Sequence, residues 1–444
     1  MSAPDKAPPS GAADHPTKAP PSGAADHPTT VGAGIEQPDP GLTREEMIAR
    51  AVGLRPQLVA DQEATERRTY YSREMHEAFL AAGFYHLYVP RRYGGYEFDV
   101  PTYVRVVQEI ARGCVSTAWC LGLAMNHALM VGSWWPQEAQ DEIFAGGDFR
   151  CASVAAPVGK ATPTDDGWEI NGQVAFASGA PYSTFYMGQA MLPSDGGPAQ
   201  GEPPPQLLFV APRPEWEMLD DWGDMLGLKG SGSHSIRFSG TRVPAGWGFP
   251  GSMLDVEVGG GTPGSRLHGN PMYSGRAVAV FTISLGAVTV GAAYNALDEY
   301  ERLMRTKATP LPPFIPRIKD RDYQRWYGRA LTHIATAEAA LHEAANRHME
   351  ACRRNVEDGI DYTFGEDMLL AGIAREAMLM SWRVIDDDLW QTVGANVARD
   401  GERTTRVFRD IAVAAAHRNL QLRDMFYGDI GRAALGEPRL APGG

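Results

Sequence analysis

Two histidines stand where an imidazole has no ordinary surface role. His127 lies within Leu123-Ala-Met-Asn-His-Ala-Leu129, and His417 directly follows Ala412-Val-Ala-Ala-Ala416. An imidazole taken out of water without a partner costs free energy, so such a position implies a hydrogen bond or a task. With an ordinary pKa near ~6.5, imidazole can take up or give a proton at neutral pH. Trp119 precedes His127 by eight residues, which on a helix leaves the two within about a quarter turn of one face. Both can then look into one pocket. Ser153, in Cys151-Ala-Ser-Val154, and Ser178, in Phe176-Ala-Ser-Gly179, are small hydroxyls in strand-like surroundings. A serine there either satisfies backbone or offers a donor to a ligand. His234, beside a glycine turn, reads as structural or peripheral. Arg305, in Glu299-Tyr-Glu-Arg-Leu-Met-Arg305, is of the type that grips phosphate with paired hydrogen bonds.

These residues fall on three kinds of element. From Thr43 to Ala111 the pattern is helical, opening on the capping box Thr43-Arg-Glu-Glu46. The period then changes: Gly167 to Gly172, Val174 to Phe176, Phe185 to Gly188 and Gln206 to Ala211 read as short strands with glycine punctuation. Pro193 to Pro205 is dense in Pro and Gly and reads as a mobile surface loop. Gly230 and Gly232 could let backbone approach a planar cofactor, or could simply turn the chain. Trp247 to Met272 is glycine-rich and reads as a lid over the cavity. From Gly275 to Leu435 the chain is alanine-rich with helical period, in long segments such as Arg329 to Asn355 and Phe364 to Val393, which suit a bundle.

Composition narrows the partners. A chain of 444 residues is long enough for two or three domains. A net charge of -13 argues against nucleic acid and anionic membrane surfaces. No run is expected to reach the ~20 apolar residues of a membrane span. The N-terminus repeats Lys6 to Thr17 perfectly as Lys18 to Thr29, rich in Pro, Gly and Ala, so disorder is expected through about residue 40. It lacks the apolar core of a secretory signal. Cys114, Cys120, Cys151 and Cys352 show neither metal spacing nor a disulfide framework. Reduced, buried cysteines in a cytoplasmic protein, and no metal site, are the expectation. No Gly-x-Gly-x-x-Gly follows a strand and opens a helix, so no nicotinamide domain is expected.

Arg403-Thr-Thr-Arg-Val-Phe-Arg-Asp410, followed by a packed helix and Ile430-Gly-Arg-Ala-Ala-Leu-Gly436, resembles the C-terminal signature of the acyl-CoA dehydrogenase superfamily. Val89-Pro-Arg-Arg-Tyr-Gly-Gly95, Tyr103 to Arg112 with Ser116-Thr-Ala-Trp119, and Gly227 to Phe238 with Val243-Pro-Ala245 resemble its other segments, in order. The dehydrogenases carry a glutamate shortly after Arg-Asp, or just before an arginine where this chain has Gly275-Arg276. Both positions lack a carboxylate, and a proton next to a thioester needs a positioned base. Asp386, Asp387 and Asp388 lie outside either position. Arg409 and Asp410 read as an intersubunit or a helix-capping ion pair.

The resemblance narrows, through Phe176-Ala-Ser178-Gly179 and the C-terminal histidine, to oxygenase components of two-component flavin-dependent monooxygenases. These are similar to the 4-hydroxyphenylacetate 3-monooxygenases and related aromatic hydroxylases. The resemblance implies an α+β, acyl-CoA dehydrogenase-like fold: a tail over 1–40, an N-terminal α-helical domain over 41–148, a middle β-barrel or sandwich over 149–265, a C-terminal four-helix bundle over 266–436 and a tail over 437–444. It implies reduced FMN or FAD from a separate NAD(P)H:flavin reductase, O2, a small aromatic substrate, a C4a-hydroperoxyflavin and a cytoplasmic homotetramer. His127 would reach the phenolic hydroxyl, His417 the peroxide and Ser178 flavin N5. Trp119, Ser153, Ser178 and Arg305 would contact the flavin. N- or S-oxygenation and acyl-CoA dehydrogenation are the competing expectations.

Overall fold

A computed structural model describes residues 39–193, 204–254 and 256–438. The repeat, the tip of the loop between Pro193 and Pro205 and the last residues of the tail lie outside the described residues.

The N-terminal region is helical because its caps are local. Thr43 Oγ1 accepts from Glu46 N at 3.2 Å and Glu46 Oε2 accepts from Thr43 N at 2.8 Å, which starts α1, Arg44–Arg68. Ser72 caps α2, Arg73–Ala82, and Gly83 in the left-handed region ends it. Asp99 caps α3, Val100–Gly113. The extended Cys114 (φ -156, ψ 114) separates α3 from α4, Val115–Trp134, which is buried on nearly every side. A helix apolar all round belongs in a core. It packs between α3, the first strand of the sheet and the long helix that opens the C-terminal region, and α5, Gln137–Ile143, follows it.

The middle region is one seven-stranded mixed sheet. Its strands are β1 Cys151–Thr164, β2 Gly167–Ala177, β3 Phe185–Met191, β4 Gln206–Pro212, β5 Glu217–Met218, β6 His234–Pro244 and β7 Gly248–Pro250, in spatial order β5-β6-β2-β1-β3-β4-β7. Only β1 and β3 run parallel, with Ser153 opposite Met187. Apolar side chains from β1 to β4 and β6 form a core of their own.

The C-terminal region follows α6, Pro263–His268. Here α7 Ala277–Thr306, α8 Arg321–Arg353 and α9 Phe364–Arg383 pack on one another, and α7 also meets α3 and α4. Asp367 caps α7 from α9: its carboxylate accepts from Ala279 N at 2.9 Å and Val278 N at 3.3 Å. A π-helical turn, Val384–Trp390, leads to α10, Gln391–Val393. The chain ends in α11 Arg403–Ala415, α12 Arg418–Gln421 and α13 Arg423–Leu435.

Two expectations are corrected. Helices α4 and α7 are long and apolar enough to cross a membrane, but 94% and 89% of their apolar windows are buried in the fold. Their uncharged runs serve the core. Gly230 and Gly232 approach protein: a Cβ at Gly230 would lie 2.5 Å from Thr65 Cγ2, and one at Gly232 would lie 2.9 Å from Pro181 Cδ. The segment Trp247 to Met272 is packed, with Val258 and Met253 buried and Thr262 Oγ1 donating to Tyr273 O at 2.5 Å. Gly260, Gly261 and Gly269 turn the chain there in left-handed backbone (φ 67, 92 and 61).

Candidate active site

Ser178 sits between two left-handed residues, Phe176 (φ 67) and Gly179 (φ 78). They break the β2–β6 ladder, whose register shifts between Val174 and Ala177, and lift Ser178 out of the sheet toward α4. A left-handed phenylalanine is sterically strained, and Phe176 is 60% exposed with its ring edge-on to Trp222. Ser178 Oγ accepts from Trp119 Nε1 at 3.1 Å and lies 2.8 Å from Ser233 Oγ, which lies 2.6 Å from Ser231 Oγ. When Ser231 donates to Ser233 and Ser233 to Ser178, both lone pairs of Ser178 are taken and its proton is free for a ligand.

His127 lies two turns further along α4. Its Nδ1 is 2.6 Å from the carbonyl of Cys151. A carbonyl only accepts, so Nδ1 carries the hydrogen and Nε2 presents a lone pair. Phe281 of α7 flanks the ring, centroids 5.8 Å apart. Burial lowers the His127 pKa to about 4, so the imidazole is neutral at pH 7.

His417 is the opposite tautomer. It is the N-cap of α12, and its Nδ1 accepts from Asn419 N at 3.2 Å, so the neutral ring carries its hydrogen on Nε2. Burial and then Arg418 lower its pKa to about 4. The ring meets Trp119 edge to face, centroids 5.4 Å apart. Trp119, Ser178 and His417 are thus in mutual contact through the indole.

The Ser153 hydroxyl, half-buried on β1 two residues after Cys151, has no hydrogen-bond partner among the described residues. Arg305 is elsewhere. It pairs with Glu301 at 2.7 Å and is 62% exposed. Twenty-four residues separate it from Phe281 on α7, about 36 Å along the axis. The chain therefore offers neutral donors and acceptors on adjoining elements: Ser178 and His417 meet at the Trp119 indole, and His127 and Ser153 lie at the start of β1. That set suits the polar edge of a flavin ring and a phenol, and one protomer does not bring Arg305 to it. Trp134, on the face of α4 that carries His127, lines a cavity of about 310 Å3 with Phe249, Val256 and Pro263.

Asp410 and Arg409 do not pair with each other. Asp410 is buried and accepts from Leu228 N at 2.6 Å and Ser116 Oγ at 3.0 Å. Desolvation raises its pKa to about 6. Arg409 and Arg406 both bind Glu66 of α1, at 2.5 and 2.9 Å. The signature fastens α11 to α1, to α4 and to the loop before β6. Asp388 is held by Arg329 at 2.7 Å and His333 at 2.9 Å. No side chain fits at Gly275: a Cβ there would lie 2.7 Å from His348 Nε2 and 3.2 Å from Cys352 Sγ.

Sequence reasoning passed over Ser231, Ser233 and the Cys151 carbonyl. The alternating Gly230-Ser-Gly-Ser233 was the available signal for the two serines. A backbone acceptor leaves no trace in residue types.

Residues 47–143 match the acyl-CoA dehydrogenase N-terminal domain and residues 283–422 the acyl-CoA dehydrogenase C-terminal domain, together more than half of the chain. The chain is 27% identical to the pigment production hydroxylase of Rhodococcus sp., over 89% of this chain and 98% of that protein. It is 26% identical to the flavin-dependent monooxygenase oxygenase subunit HsaA of Rhodococcus jostii, over 83% and 93%. The structure of XiaF from Streptomyces sp. in complex with FADH2 and glycerol superposes with a TM-score of 0.76 at 23% identity, covering 89% of this chain and 96% of that one. The chain belongs to the acyl-CoA dehydrogenase superfamily, among the oxygenase components of flavin-dependent monooxygenases.

Proposed function

We propose that this oxygenase hydroxylates a phenolic aromatic ring, with His127 accepting the phenol hydrogen, His417 donating toward the reacting oxygen and Ser178 donating to the flavin ring. The observation that carries the reading is the pair of neutral imidazoles with opposite tautomers, His127 buried and presenting a lone pair, His417 half-buried and presenting a hydrogen. When bound, reduced flavin activates O2 and supplies an electrophilic oxygen.

The chain's own residues do the rest. His127 Nε2 takes the hydrogen bond of the phenol and orients the ring. With its pKa lowered to about 4 it does not hold a full proton from a resting phenol. Proton transfer instead accompanies ring attack, when electron density leaves the ring carbon and the phenol acidifies. His417 Nε2 and Ser178 Oγ donate where charge develops, in a pocket dried by Trp119, Phe281 and the apolar body of α4. Ser153 adds a second hydroxyl.

A separate NAD(P)H:flavin reductase delivers FMNH2 or FADH2 by diffusion, in keeping with the names of the relatives as oxygenase components. We place the protein in the cytoplasm as a homotetramer. Four free, buried cysteines support the first, and exposed Leu311, Phe314, Met425 and Leu435 on the helical region support the second. In that assembly Arg305 serves a flavin phosphate as a neighbour's residue. A dehydrogenase is disfavoured by the packing around Gly275 and the ion pairs of Asp388.

The test is stopped-flow absorbance of the protein mixed anaerobically with reduced FMN or FAD and then with oxygenated buffer. A long-lived band distinct from oxidised flavin, whose decay a phenol accelerates, supports the reading. Immediate reoxidation with no such band, together with flavin reduction by an acyl-CoA, overturns it.

A further inference from the structure

Arg375 of α9 is wholly buried, yet among the described residues it forms no ion pair with a carboxylate, Glu376 acting on it only from a distance. Its Nε donates to Asn419 Oδ1 at 2.9 Å, while Nη1 and Nη2 have no hydrogen-bond partner among the described residues. Its guanidinium lies over the Phe426 ring, 4.3 Å from the centroid. A charged fork with two unfilled donors in a dry interior lowers stability. An apolar side chain of similar volume would pack there without that penalty.

The one polar bond it makes leads to the site. Asn419 is a junction of three contacts: Oδ1 accepts from Arg375, Nδ2 donates to Thr282 Oγ1 of α7 at 3.0 Å, and the backbone N donates to His417 Nδ1 at 3.2 Å. Thr282 Oγ1 in turn donates to Val278 O at 2.7 Å. Helix α12 has four residues, too few to hold its own shape. The direction of its N-cap therefore depends on what anchors its first turn. The clasp of α9 and α7 on Asn419 is that anchor.

We propose that Arg375 is a positioning residue for His417, acting through Asn419 so that the imidazole beside Trp119 stays in one tautomer, with its hydrogen on Nε2. This rests on the reading of His417 as a donor to the reacting oxygen. The guanidinium is wholly buried, so it acts on the site through Asn419. Its unfilled nitrogens are the cost of placing a rigid donor in a confined space, a task the planar fork suits better than a flexible ammonium.

The test is magic-angle-spinning NMR of the full-length, flavin-free protein labelled with 15N-histidine. His417→Gln identifies the His417 resonances by their loss. In the wild type His417 shows one neutral form, with an acceptor Nδ1 and a protonated Nε2. Asn419→Asp keeps an acceptor for Arg375 and adds a counter-charge, so the single form persists. Arg375→Met and Asn419→Leu split the signal into both tautomers, and hydroxylation falls roughly tenfold with more reduced flavin lost as hydrogen peroxide. Asn419→Leu changes a half-buried residue and serves if Arg375→Met does not fold. A single, unshifted His417 signal in the folded leucine or methionine variant overturns the proposal. If the wild type gives no long-lived band in stopped flow while the tautomer still depends on Arg375, the oxygenase reading has failed and the clasp has not.

Discussion

Trp119 Nε1 donates to Ser178 Oγ across 3.1 Å, joining the apolar helix α4 to the end of strand β2. The bond fixes the plane of the indole, and the indole edge fixes the space open to His417 at 5.4 Å. Replacing Ser178 by alanine leaves the indole N–H without its acceptor and the Ser233 hydroxyl with Ser231 alone. A buried donor left unsatisfied costs about 1–3 kcal/mol. Ser178→Ala is expected to lower the Tm and to raise the fraction of reduced flavin converted to hydrogen peroxide. Thermal unfolding and a peroxide assay under turnover measure both. An unchanged peroxide yield would remove Ser178 from the flavin edge.

His127 and Cys151 set the second expectation. Because Nδ1 is tied to the Cys151 carbonyl, His127→Gln keeps a polar side chain but loses the directed lone pair. Hydroxylation is expected to fall by about 10²–10³, while the reaction of bound reduced flavin with O2 stays at the wild-type rate. The pKa of about 4 also predicts a shape: the hydroxylation rate should be flat between pH 8 and 6 and fall only in more acidic solution, where His127 protonates. A limb centred near 6.5 would mean that His127 titrates as a solvated imidazole, and the buried acceptor would be wrong.

The sequence was legible where the interaction is local. Thr43 and Glu46 are three residues apart, and their box forms as written. Trp119 and His127 share a face because helical geometry leaves them little choice. Long-range partners were not legible. Arg409 and Asp410 are adjacent and opposite in charge, yet each is satisfied by a residue far away in sequence, Glu66 and Leu228. Nothing in the residues around Arg375 marks it as buried, and the partners it meets, Phe426 and Asn419, come from the end of the chain. The runs in α4 and α7 have the composition of membrane spans. What they bury against is decided by tertiary packing.

Stability should depend on pH in a direction these buried groups fix. Burial lowers the pKa of His76 to about 3 and of His86, His127, His268, His348 and His417 to about 4. Unfolded, each titrates near ~6.5. Between those values the unfolded chain binds more protons, so the folded state loses stability as the pH falls from about 6.5 toward 4. Asp367 and Asp410, raised by burial to about 6, act the other way between the ordinary carboxyl value of 3.8 and that point. Six imidazoles outweigh two carboxyls. The Tm measured by calorimetry at fixed ionic strength should drop between pH 7 and pH 5. A constant or rising Tm would show that these histidines are not held neutral.

Gly275 supplies the sharpest test of the missing dehydrogenase chemistry. A glutamate just before Arg276 would restore a carboxylate to one of the two positions that the dehydrogenases use, but the space is filled. The Cβ alone would lie 2.7 Å from His348 Nε2 and 2.9 Å from His348 Cε1. His348 is itself fixed, with Nδ1 3.0 Å from Tyr362 OH, and that hydroxyl donates to Asp367, the cap of α7. Forcing a side chain into Gly275 displaces His348, and overpacking of this kind costs about 1–3 kcal/mol or more. The outward shift would pass through Tyr362 to the start of the bundle. Gly275→Glu is therefore expected to lower the Tm by several degrees and to give no bleaching of bound flavin by an acyl-CoA. The variant with His348→Ala as well makes room and should recover part of the Tm without gaining that activity, because the chain around Gly275 is packed for an imidazole and a thiol. Flavin reduction by an acyl-CoA in either variant would show that one carboxylate is all that separates this chain from the dehydrogenases.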